Sequence, residues 1–159
     1  MKAYLAILSA RFRMLLQYRA AALAGLGTQL FWGLIRVMVF EAFYRSAAAP
    51  QPMSLQDTGT YLWLTQAMLH LIPFRVDAEL AAMVRDGTVV YELARPMDLY
   101  WAWYARAIAM RTAPTILRAL PMFAIALPFL GMRLPPTGWS FAAFVVSIGG
   151  AVLLTSAVT

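Results

Sequence analysis

From Ala20 to Tyr44 the chain reads AAALAGLGTQLFWGLIRVMVFEAFY, a stretch in which only Arg36 and Glu41 are charged. At about 1.5 Å of rise per residue, a helix of this length crosses a ~30 Å hydrocarbon core with some tilt. A small soluble domain has no core large enough to hide it. Three further apolar runs follow: Thr58 to Phe74, Thr112 to Gly131 and Trp139 to Thr159. The 159 residues are 62% hydrophobic and 13% charged, against roughly 25% charged in an ordinary soluble domain. The pattern predicts an all-α, polytopic transmembrane helix bundle, with residues 1–159 forming one domain.

The spans carry their own landmarks. Gly25, Gly27 and Gly33 offer small surfaces where a second helix can approach the first. The second run is only just long enough to cross, and Gln66 and His70 interrupt it. Pro114, Pro121 and Pro128 recur every seven residues in the third, which predicts a kinked helix whose freed carbonyls are satisfied by neighbours. Arg36, Glu41, Gln66, His70 and Arg118 are the intramembrane polar residues, each a functional candidate by position. Against that stands a plainer reading, in which Arg36, Glu41 and Arg118 snorkel to an interface and His70 is hydrogen-bonded near a span's end.

Residues 2 to 19 precede the first span as an amphipathic helix. Leu5, Leu8, Phe12, Leu15 and Leu16 fall on one face, with Lys2, Ser9, Arg13 and Gln17 on the other. Such a helix lies in the headgroup layer, either as an anchor or as a docking element. Basic residues set the orientation. Lys2, Arg11, Arg13 and Arg19 precede the first span, and Arg75, Arg85, Arg95, Arg106 and Arg111 separate the second from the third. The other loops hold Arg45 and Arg133 alone, so the N-terminus and the 75–111 segment are expected in the cytoplasm. The fourth span ends there with no basic anchor after it, as if the chain were truncated.

The net charge of +6 is explained by anionic headgroups beside the spans, and no nucleic-acid partner is expected. The absence of cysteine excludes disulfides, thiolate metal sites and thiol catalysis. No metal site is predicted.

The cytoplasmic segment is the one place where charge is concentrated. Val76, Leu80, Met83 and Val84 make an apolar helical face, while Asp77, Glu79, Arg85 and Asp86 are expected to stay wet. Gly87 suits the left-handed position that ends a helix. Pro96 turns Arg95 away from helix, and Asp98 can cap a helix that starts at Leu99. Tyr100, Trp101, Trp103 and Tyr104 form an aromatic belt at the membrane surface. This helix–turn–helix is either a docking surface for a cytoplasmic partner or an interfacial packing element.

The stretch MVRDGTVVYELARPMDLYW, residues 83 to 101, resembles the cytoplasmic signature of ABC-2-type permeases, the membrane subunits of bacterial ATP-driven exporters. Met83, Val84, Arg85, Gly87, Leu93, Arg95 and Pro96 carry the likeness. The interfacial first helix, the long first span and the short second span agree with it. Members of that family usually have about six spans. The resemblance implies a multi-pass permease of the bacterial inner membrane, paired with a second permease subunit and with separate cytoplasmic ABC ATPases. The helix before Gly87 would be the coupling helix. Asp77, Glu79, Arg85, Asp86 and Gly87 would face or position the ATPase, and Glu92, Arg95 and Pro96 would set the return to the membrane. ATP and Mg would be bound by the partner.

The residues themselves agree on that last point. A phosphate-binding loop needs a lysine after its glycines, and the sole lysine is Lys2. Rival readings are an ion-coupled secondary transporter using Glu41, His70 and Arg36, a non-catalytic membrane assembly subunit, and an intramembrane enzyme built on His70 and Ser147. The last lacks a Gly-x-Ser-x-Gly motif. The transported substrate is not legible.

Overall fold

The computed structural model describes residues 2–72 and 77–158. Among these the regular structure is all helical: α1 (Lys2–Leu16), α2 (Arg19–Ser46), α3 (Leu55–Ala67), a 3-10 turn (Leu69–Leu71), α4 (Ala78–Arg85), α5 (Val89–Leu93), α6 (Leu99–Phe129) and α7 (Gly138–Ala157). Among the described residues three helices are long and apolar enough to cross a membrane, at Ala20–Ser46, Leu99–Phe129 and Gly138–Ala157.

The second expected span differs most in its bounds. The α-helix there has 13 residues, about 20 Å of rise, and the 3-10 turn at Leu69–Leu71 follows it. Ser54 caps its start by accepting from the Asp57 N–H at 3.1 Å, so the helix begins before Thr58 and stops well before Phe74. Phe74, Arg75, Val76 and Thr159 lie outside the described residues. A second difference concerns the third span. The helix expected from Leu99 and the apolar run from Thr112 are one continuous helix, α6, which also runs through Pro114, Pro121 and Pro128 without a break.

The chain divides into two compact units, each drawn from separate stretches: 1–17, 70–114 and 145–159 in the first, 18–69 and 115–144 in the second. In the second unit the core is Leu26, Trp63, Ala67, Ala119, Met122, Ala126 and Met132. Ala119, Met122 and Ala126 recur at helical spacing and present a small-residue strip to the bulky Trp63. Gly33 is the matching recess on α2, where the nearest atoms to an added methyl group would all belong to the Trp63 ring. The first unit uses the same device on its own stretch of α6. Ala102, Ala105, Ala109 and Ala113 are all buried, each about one turn from the next.

Local signals set the ends of the short helices. Asp77 caps α4, accepting from the Glu79 N–H at 2.9 Å and the Leu80 N–H at 3.4 Å. It is buried, not wet as its place in an amphipathic pattern implied, because a capping carboxylate folds back over its own helix. Asp77→Ala is expected to lose about 1–2 kcal/mol of stability, read as a lower denaturation midpoint in detergent, with Asp77→Asn retaining most of it. Gly87 follows α4 with φ +73°, the left-handed geometry that its sequence position predicts. Asp98 caps α6 as expected, accepting from the Trp101 N–H at 3.0 Å.

Candidate functional site

In the first unit, the segment between Asp77 and Asp98 presents two short helices with no buried residue in either. Arg85, Asp86 and Gly87 are exposed at the corner between them. Around that corner Val84, Val90, Tyr91 and Leu93 are also exposed, Tyr91 by 74%. Val84 belongs to the expected apolar face, on which Leu80 and Met83 are partly covered. Glu92 pairs with Arg95 at 3.1 Å, and Pro96 sits in the exposed turn that leads to α6.

Glu79 faces the other way. Its Oε2 accepts from Arg11 on α1 and lies 3.0 Å from Nη2 of Arg106 on α6. Partial desolvation disfavours its charged form, but the hydrogen bond from Arg11 and the charge of Arg106 outweigh this and hold the carboxyl below its ordinary value of 4.5. One carboxylate thus ties α4 to two other helices. Asp77 and Glu79 position the corner, and Arg85, Asp86 and Gly87 display it. Close by, the Asp98 N–H donates to Tyr4 Oη at 3.2 Å, and Tyr100 stacks on Tyr104 with ring centroids 6.0 Å apart.

In the second unit the polar residues of the spans sort into two groups. Glu41 is engaged by Arg45 one turn on, at 2.5 Å. Arg36, Gln66 and Arg118 instead line one groove of about 420 Å³ together with Gly25, Gln29 and Trp32. Gly25, Gln29, Trp32 and Arg36 share a strip of α2 by their i, i+4, i+7, i+11 spacing. Gln29 and Gln66 are buried, and Gln29 Nε2 donates to the Gln66 carbonyl at 3.1 Å. His70 belongs to the first unit. Sequence reading missed Gln29, Arg11 and Arg106. Gln29 was visible as a polar residue on the Arg36 strip, whereas nothing local marks the two arginines as partners of Glu79.

Among the described residues, fold and hydropathy together define an all-helical protein with three helices fit to span a membrane. No family model, curated protein or solved structure matches the chain.

Proposed function

We propose that the chain is the permease subunit of an ABC-2-type exporter in a bacterial inner membrane, with its N-terminus and the α4–α5 corner in the cytoplasm. The permease acts as a dimer, and separate ATPase subunits bind ATP and Mg. The observation that carries this reading is the corner itself. Two short helices that bury nothing of their own expose Val84, Val90, Tyr91 and Leu93 beside Arg85 and Asp86. An apolar patch rimmed by charge is the surface expected of a protein contact, and it falls within the stretch that resembles the family's signature. ATP-driven closure of the ATPases would press on α4, and Glu79 would pass that displacement to α1 and α6 through Arg11 and Arg106.

The test is affinity purification of the tagged chain from its native membranes in mild detergent. The expected result is recovery of a P-loop ATPase, with recovery at least tenfold lower for Arg85→Glu while the amount of chain in the membrane is unchanged. Reversing a charge at a docking contact costs several kcal/mol through like-charge opposition. Recovery of the folded chain alone, or of the ATPase equally with both versions, would sink the proposal and bring forward an ion-coupled transporter or an assembly subunit.

A further inference from the structure

The groove along α2 holds an unbalanced set of charges. Among the residues that line it are Arg36 and Arg118, and no acid. The acids of the second unit are Glu41 and Asp57. Glu41 is taken by Arg45, and Asp57 accepts from the Ser54 hydroxyl at 2.5 Å. No carboxylate of this unit remains for Arg118. Its Nε is buried without a hydrogen-bond partner, and its guanidinium lies directly against Gly25, where a methyl group would have all three nearest atoms within 2.6 Å. A guanidinium at membrane depth without a counter-charge is costly, so the site is built for an anion supplied from outside the unit.

Two further observations narrow the ligand. Gln29 is 4% exposed, and its Oε1 is buried with no donor. One N–H of its Nε2 goes to the Gln66 carbonyl, which leaves Oε1 as an acceptor without a donor on a residue that lines the groove. Arginine donors beside an amide acceptor fit an acid that also carries a hydroxyl proton. The groove also extends about 16 Å along α2 from Gly25 to Arg36 and passes the exposed Trp32, so it offers apolar surface between its two basic residues. Gly25 lies six residues into α2, about 9 Å of rise, within reach of a headgroup in the nearer leaflet.

We infer that the α2 groove binds an acidic amphiphile, with its phosphate or carboxylate on Arg118, its hydroxyl on Gln29 and its chain along Trp32. This rests on the permease reading only for the claim that such a molecule is transported. Binding stands or falls without an ATPase.

The experiment titrates dodecyl phosphate into the full chain in neutral dodecyl maltoside micelles and counts bound probe by native mass spectrometry. Saturable binding is expected, weakened at least tenfold in Arg118→Gln, because a charge-assisted pair is lost. Gly25→Ala should weaken it in the same direction. It displaces the guanidinium while leaving a residue that favours helix, so a weakened result there does not reflect unfolding. Arg133→Gln, whose side chain is outside the groove, should bind as the parent does. Non-saturable binding, or equal binding by the parent and Arg118→Gln, overturns the inference. So does equal displacement by inorganic phosphate, since a soluble anion would then suffice. Displacement by phosphatidylglycerol at equal concentration identifies the source as resident lipid. Resistance to it identifies a single-chain acid as the preferred ligand. If the probe binds as expected but no ATPase is recovered with the chain, the permease reading fails and the acid site remains.

Discussion

Gly33→Val is expected to be the most destabilising single substitution in the second unit, at about 2–3 kcal/mol, the upper part of the range for overpacking a filled core. Even a lone methyl group at Gly33 would have three Trp63 ring carbons within 3.0 Å. Trp63 is 1% exposed and packed among Leu26, Ala67, Ala119 and Met122, so the ring has nowhere to retreat. Valine adds two more carbons and a restricted χ1, which removes the freedom to turn away. Gly33→Ala should cost less, since about 1 kcal/mol of its strain is offset by alanine's better helix propensity. Gly27 supplies the control on the same helix. Nothing lies within 4 Å of a methyl group there, and Gly27→Ala should be neutral or mildly stabilising. Unfolding by a denaturing detergent, followed by tryptophan fluorescence, separates the two. Equal stability of Gly33→Val and Gly27→Ala would mean that α2 and α3 do not meet at Trp63. A Gly33→Ala, Trp63→Phe double variant should be more stable than the sum of its parts predicts, because the smaller ring leaves room for the methyl.

The recess at Gly33 was half legible. Three glycines in one apolar run announced close helix approach, but not which glycine would be used. Only Gly33 and Gly25 have neighbours in their space, one an indole and the other a guanidinium. Signals that act within one turn of chain were the dependable ones: Gly87 adopts its left-handed geometry and Asp98 its cap. Ser54 and Asp57 formed an equally local helix start that went unread, because hydropathy drew the boundary at Thr58. Hydropathy also failed at the far end of α3, since an apolar run continues past Ala67 whether or not the helix does. Asp77 was misplaced because an amphipathic pattern puts every acid outside, whereas the residue before a helix turns inward to bond its first N–H groups. The alanine strip on α6 was present at helical spacing but masked by the more conspicuous prolines. No short-range rule could have joined Arg11 to Glu79 across 68 residues, because that contact exists only once three helices have packed.

Removing this last contact should be the largest electrostatic change available in the first unit. In Glu79→Gln two guanidinium groups lose their shared counter-charge, with the Arg106 side chain only 14% exposed and Arg11 21%. A fully buried pair broken on one side costs about 3–5 kcal/mol. Glu79 itself is 50% exposed, so solvent screens the interaction, and about 1–2 kcal/mol is the expected loss once surface screening is allowed for. The pH dependence has a definite sign. The carboxyl is held below 4.5 in the folded chain, so its contribution is complete above that value. It then disappears as pH falls from 4.5 through the lower folded value, where proton uptake favours the unfolded chain. Denaturation midpoints measured from about pH 7 down to about pH 3 should therefore fall more steeply for the parent than for Glu79→Gln, and added salt should narrow the gap at neutral pH. The same variant separates positioning from docking at the α4–α5 corner. Glu79 does not belong to the exposed patch, yet it fixes the helix that carries it. On the proposed permease reading, Glu79→Gln should therefore reduce recovery of an ATPase only partially, against the loss of at least tenfold expected of Arg85→Glu. Parallel pH profiles for parent and variant would mean that the three charges are solvated independently, and that α4 is held on α1 and α6 by apolar contact alone.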